Sequence, residues 1–172
     1  MNMTLTFCHT KNENGYLSQW YPCSFIYKSV PSELLRYPEV IDKIRTLDSI
    51  KYVSSLQFMM MSKALLFNDL NIYRKMRVTN DGKTLLQLGR CIAKFDKKIW
   101  DKYSTDIITI GTYLKFTQNI TLQDLLLYTG DKLIVDTIDV KCSNDDVYDR
   151  VKWKGSNTIG FCLMKVRECI KT

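Results

Sequence analysis

The sequence predicts a helix-rich α+β fold in a single domain with a few short strands, on three observations. About five or six segments repeat apolar residues at helical spacing, whereas only three short runs read as strands. Strands and helices do not alternate in the β-α-β manner that builds a parallel sheet. The chain has 172 residues, 45% hydrophobic and 25% charged, with apolar residues spread along its whole length, which suits one core rather than two. The domain is expected to occupy residues 1–172, with an inserted helical segment at about 29–51 and no repeat or long Gly/Ser linker to mark a boundary.

Thr4 to Cys8 alternates as a strand does, and Phe25-Ile26-Tyr27 is a second short β-type run after the turn-forming Pro22. Pro31-Ser32 opens the insert, and Pro38 suits the first turn of a helix in which Val40, Ile41, Ile44 and Leu47 recur at helical spacing. Ser54-Ser55 can cap the next helix, whose stripe is Leu56, Met59, Met60, Lys63, Ala64 and Phe67. Lys63 on that stripe has two readings: its stem lines the core while the ammonium reaches solvent, or the ammonium meets a phosphate or ribose. Asn80-Asp81-Gly82 is a turn, followed by a helix from Lys83 toward Cys91. Asp96 can cap a long helix with Trp100, Tyr103, Ile107, Ile110 and Leu114 on one face, the expected central helix. Thr121-Leu122-Gln123-Asp124 has the form of a capping box, and Gly130 is placed to end the helix behind it. Leu133-Ile134-Val135 is a candidate buried strand, and a last helix from about Thr158 to Ile170 carries Ile159, Leu163, Val166 and Ile170 on one face.

Composition excludes several classes. The longest apolar run, Leu56 to Leu66, is interrupted by Gln57, Ser62 and Lys63, short of the roughly 18 apolar residues that a membrane span needs. Met1 to Thr10 lacks the pattern of a signal peptide, so a cytoplasmic location is expected. The six cysteines, Cys8, Cys23, Cys91, Cys142, Cys162 and Cys169, form no C-x-x-C pair and read as free thiols. The lone histidine, His9, has no clustered ligands beside it, so no metal is expected, and no cofactor signature occurs. The net charge of +7 suits an anionic nucleotide or nucleic acid, although the basic residues are scattered apart from Arg74-Lys75-Met76-Arg77 and Lys94 to Lys98.

No Gly-rich phosphate loop, H-E-x-x-H, G-x-S-x-G or kinase-type motif is present. What remains is a set of polar and aromatic residues at element ends: Gln19-Trp20-Tyr21, Arg90, Gln118-Asn119 and Asn157-Thr158. Arg90 can pair bidentately with phosphate. Asn157 either caps the last helix or helps to hold an anion there. Trp100 and Trp153 are each either core aromatics or base-stacking surfaces.

Ordered motifs point to a family. Leu17-Ser18-Gln19-Trp20-Tyr21-Pro22, Gly89-Arg90, Trp100, Lys115 to Asn119, Leu126 to Asp131, and Trp153 to Arg167 follow one another as in the NADAR (YbiA-like) N-glycosidases, which the chain resembles over residues 15–28 and 52–170. The resemblance implies a YbiA-like fold and hydrolysis of an N-glycosidic bond, in phosphoribosylamino intermediates of riboflavin synthesis or between ADP-ribose and guanine. Such cleavage passes through an oxocarbenium-like state that a carboxylate stabilises while it activates water. The family glutamate lies in a segment like S-x-E-Q/H-Y/F-x-x-A-x-K. Here that segment reads Ser54 to Lys63, with Leu56 in place of the glutamate.

Two further departures accompany Leu56: the family's D-x-x-W-G-x-G after Asp136 is absent from Lys141 to Val147, and the insert precedes the altered helix. Leucine neither takes a proton nor stabilises positive charge. The first expectation is therefore a catalytically degenerate domain that binds an ADP-ribosyl or nucleotide ligand, or a protein partner. Its expected ligand residues are Gln19, Trp20, Lys63, Arg90, Trp100, Gln118, Asn119 and Asn157. The alternative is a working N-glycosidase whose acid is Asp136, or Glu33 or Glu39 if the insert folds over the site. The ligand is expected to be a small molecule, with nucleic acid as a route through ADP-ribosylated guanine. A third reading has the Val40 to Leu47 face of the insert dock a protein, against the alternative that it packs on its own domain.

Overall fold

The computed structural model describes residues 4–7, 12–46, 49–141 and 153–171. Cys8, His9, Leu47, Cys142 and the stretch 142–152 after Asp136 therefore lie outside the described residues. The described chain is helix-rich α+β, as expected, and is built on α2 (Ser55–Leu66) and α5 (Lys97–Thr117). Helix α5 is the central helix: Tyr103, Ile107, Ile110 and Leu114 are buried, and α2, α6 (Ile120–Tyr128) and α7 (Thr158–Lys171) pack around it. Its start is fixed by Asp96, which accepts hydrogen bonds from the Lys98 and Ile99 amides, and Ser54 caps α2 in the same way through Gln57 N.

Differences from the sequence reading have local causes. Helix α3 (Leu70–Arg77) was not anticipated, because its inward stripe is only Ile72, Tyr73 and Met76 and the rest is polar apart from the exposed Leu70. Its signal was Asp69, whose carboxylate caps it at Ile72 N. Helix α4 (Gly82–Arg90) begins one residue earlier than expected, with Asp81 as its cap. Thr121 to Asp124 is no capping box: α6 starts at Ile120, so Thr121 lies inside it, while Asn119 at the cap position turns its side chain back to Lys115 O and Ser24 O. Gly130 does follow the helix end, at φ +57, where glycine adopts the left-handed conformation without strain.

Four short strands form two pairs among the described residues. β2 (Phe25–Ile26) and β3 (Lys51–Tyr52) are antiparallel. β1 (Thr4–Phe7) and β4 (Leu133–Asp136) are parallel, in register from Thr4 opposite Leu133 to Phe7 opposite Asp136. The parallel pair was not expected, since its strands are joined across most of the chain rather than by one helix.

The segment from Ser32 to Ile44 packs onto the rest of the domain. Its 3-10 turn (Ser32–Leu34) and α1 (Val40–Ile44) bury Leu34, Leu35, Val40 and Ile44 in the same core as α2 and α5. The apolar side of α1 thus packs inward. Asp106 of α5, itself buried, anchors the segment by accepting from Arg36 N at 2.9 Å and Tyr37 N at 2.7 Å. Asp106→Ala orphans both amides and is expected to cost about 2 to 4 kcal/mol in urea unfolding, with faster proteolysis at the insert.

A second apolar cluster of α6, β4 and α7 adjoins the first. Asn157 joins its parts from a fully buried position: Oδ1 accepts from Asp136 N and Nδ2 donates to Ile134 O, both at 2.9 Å. Asn157 thereby hydrogen-bonds β4 as a neighbouring strand would. Gly160 makes this approach feasible, since a Cβ there would stand 2.3 Å from Ile134 O and 2.4 Å from Asn157 Oδ1. Arg167, buried on α7, closes the other end by donating to Thr129 Oγ1 and Lys132 O.

Candidate functional site

Two adjoining spaces with shared lining residues lie where α2, α5 and α7 meet the Ser18 to Trp20 loop. The outer recess, about 520 Å³, is lined by Gln19, Lys63, Trp100, Ser104, Asp136, Asp139 and Thr158 among others. A more enclosed inner chamber of about 210 Å³ shares Gln19, Met59, Asp136, Ile138 and Ile159 with it and ends on Trp20, Leu56 and Leu86. A further recess of about 360 Å³ shares Trp20 and Leu56 with the inner chamber and is bordered also by Pro22, Val53, Ser54, Asn80 and Gly82.

The loop carrying Gln19 and Trp20 is held from behind. Lys115 of α5 is almost wholly buried and donates from Nζ to the carbonyls of Tyr16 and Ser18. Gln19 O accepts from Leu56 N at 2.9 Å, which seats the loop on the first turn of α2. Trp20 is fixed by a glycine: a Cβ at Gly82 would stand 2.5 Å from two of its ring carbons. Gln57, beside Leu56, accepts from Val53 N and donates to Met76 O and Thr79 O, tying the start of α2 to the turn that presents Gly82.

Burial brings the pKa of Lys115 down to about 8, partly countered by the nearby Cys23 thiol. The folded chain then binds fewer protons than the unfolded chain between about pH 8 and the ordinary lysine value of 10.5, so this group makes stability rise with pH through that window. The stability of the natural protein relative to Lys115→Met is expected to rise by about 2 kcal/mol between about pH 7 and about pH 9.5. Denaturant unfolding of both proteins at the two pH values checks this, with the buried tyrosines cancelling in the difference.

Lys63 has its ammonium 4.4 Å from the Phe95 ring centroid and 5.1 Å from that of Trp100, and it donates to Gly89 O at 3.1 Å. Desolvation lowers its pKa. Lys63 is one of the residues that line the outer recess. Asp136 is 4% exposed, and its Oδ1 accepts from Ile138 N at 3.0 Å. Asp139, which the sequence reading did not single out, accepts from Thr158 N and Ser156 Oγ and so caps α7 from 19 residues away, too far for a local capping pattern to reveal. Leu56 is 2% exposed, and its side chain forms part of the inner wall.

The predicted residues thus divide. Gln19, Trp20, Lys63, Trp100, Asp136 and Leu56 are brought together around the two spaces. Gln118 is engaged with main chain instead, accepting from Ile26 N and donating to Ile26 O. Asn119 and Asn157 likewise bond main chain at Lys115, Ser24, Ile134 and Asp136. Arg90 is exposed at the end of α4 and borders neither space. Of the other acids considered, Glu33 is exposed, and Glu39 accepts from Lys102 and Tyr103; neither lines the cavity.

The NADAR domain family matches residues 6–171. This chain belongs to the NADAR family. An N-glycosidase of Acanthamoeba polyphaga mimivirus is 35% identical over 174 residues, which cover 94% of each protein. Protein irg-1 of Caenorhabditis elegans is 32% identical over 167 residues, 88% of this chain and 73% of its own length. The NMR structure of the E. coli protein YbiA has the same fold, with a TM-score of 0.69 at 22% identity over 99% of this chain and 87% of that one. This NADAR domain therefore has the fold that its motifs implied. Among its described residues no helix is long and apolar enough to cross a membrane.

Proposed function

We propose that this NADAR domain binds an ADP-ribosyl or nucleotide ligand in the paired recess and does not cleave it. The observation that carries the reading is Leu56. It stands where the resemblance to the family calls for the catalytic glutamate, and its side chain is part of the apolar inner wall. Around it stand an amide at Gln19, a cation at Lys63, and aromatic side chains at Trp20 and Trp100. Lys63 supplies the charge for an anionic group, and Trp100 beside it supplies a stacking face. The mimivirus relative's description as an N-glycosidase agrees with a glycosidic ligand class.

Calorimetry with ADP-ribose tests the binding half. Saturable binding is expected, weakened at least tenfold by Lys63→Gln through loss of the cation, about 1.4 kcal/mol. Heat indistinguishable from dilution would end the reading.

One observation favours a second reading, a working N-glycosidase with a relocated acid. Asp136 lines both spaces, so its carboxylate borders the region that Leu56 has vacated of charge. Under that reading hydrolysis occurs and Asp136→Asn removes it.

A further inference from the structure

Charge is unevenly placed along the chain. The 30 residues from Asp69 to Lys98 carry eight Lys or Arg against three Asp, which is +5 of the chain's +7. All three carboxylates are engaged at helix starts: Asp69 accepts from Ile72 N and Ala93 N, Asp81 from Thr84 N, and Asp96 from Lys98 N. Arg74, Lys75, Lys94, Lys97 and Lys98 are exposed, and among the described residues only Lys97 of these has an ion pair, with Asp101. Helices α3 and α4 both pack on α2 and touch each other, so they form one side of the domain. The segment after α4 joins that side, because Leu70 and Lys94 line one recess and the Phe95 ring stands 5.2 Å from that of Phe67 beside it. Apolar side chains share this side: Leu70, Arg74 and Val78 follow at i, i+4 and i+8 along the outward stripe of α3, with Leu70 45%, Val78 83% and Phe95 44% exposed.

We propose that the outward stripe of α3, continued by Lys94 and Phe95, docks on an anionic lipid surface. The contact is peripheral and needs no spanning helix. Leu70 to Asn80 holds no acidic residue, and cations without interspersed acids suit a uniformly negative partner, a headgroup layer or a phosphate backbone. A protein partner fits less well, since protein interfaces are depleted in lysine. The aliphatic tips decide between the other two. Leu70 and Val78 gain by leaving water for the boundary between headgroups and acyl chains. A nucleic acid strand is held instead by aromatic stacking, for which the exposed part of this stripe offers Phe95 alone.

Cosedimentation of the full chain with vesicles tests this. At about 50 mM salt, phosphatidylcholine vesicles holding about 30% phosphatidylserine are expected to bind at least about tenfold more protein than phosphatidylcholine alone, and about 500 mM salt should release it. Arg74→Glu combined with Lys75→Glu should lower the partition at least about tenfold. Lys28→Glu combined with Lys51→Glu makes the same change in net charge at exposed residues outside α3 and the segment after α4, and should lower it less than about threefold. Leu70→Ser combined with Val78→Ser leaves the charge alone and should still lower it at least about threefold. The substituted side chains are exposed, so melting temperatures should match that of the natural protein. Equal binding to both kinds of vesicle overturns the proposal, as do equal losses in the two charge-reversal pairs or no loss in the serine pair. A mixed-sequence DNA duplex that displaces the vesicles at equal phosphate concentration would also overturn it and give the face to nucleic acid.

Discussion

Asn157→Ala is expected to remove about 3 to 8 kcal/mol of stability, the sum of two orphaned buried groups and alanine's strain at positive φ. The orphaned groups are Asp136 N and Ile134 O, both on buried residues of β4, and Asn157 itself sits at φ 51 with no exposed surface. A domain of this size has only about 5 to 15 kcal/mol in all, so the variant is expected to unfold at far lower urea. Asn157→Gly separates the causes: glycine accepts the backbone angle but restores neither hydrogen bond, so it should recover about 1 kcal/mol of the loss. Urea midpoints of the three proteins decide it. A midpoint for Asn157→Ala close to that of the natural protein would mean that β4 and α7 are held some other way.

The second large effect is a gain. Leu56→Glu places a carboxylate in the inner wall, where the resemblance puts the family acid, and general acid–base help of this kind is worth about 10²–10⁴ in rate. Hydrolysis of an ADP-ribosylated guanosine is therefore expected to appear in this variant. Stability should fall at the same time, because the new carboxyl replaces a buried apolar side chain and faces Asp136. Chromatography of products against time measures the gain. A folded Leu56→Glu protein that binds ADP-ribose yet releases nothing would show that more than the acid has been lost.

The helices whose apolar stripe is long and whose cap is local were legible in the sequence. Asp96 with Tyr103, Ile107, Ile110 and Leu114 gave α5, and Ser54 with the stripe from Leu56 gave α2. Helix α3 escaped because three buried residues among eight give little periodicity, and the β1–β4 pairing escaped because register between distant strands leaves no mark in local pattern. The site was partly legible for the same kind of reason. Lys63 was conspicuous as a charge on an apolar stripe, and Leu56 only against the family motif. Gln118, Asn119 and Asn157 read as ligand residues because they are polar and lie within motifs, yet each satisfies main chain that would otherwise be unpaired. Asp139 and Lys115 act across long sequence separations, which spacing rules do not reach.

The most direct test is a multiple-turnover incubation of the natural protein with ADP-ribosylated guanosine, scored for free ADP-ribose. The absence of a carboxylate at Leu56 predicts no release beyond the uncatalysed rate while the ligand stays bound. Release of many equivalents per chain, abolished by Asp136→Asn, would contradict it and make this NADAR domain an enzyme with a relocated acid.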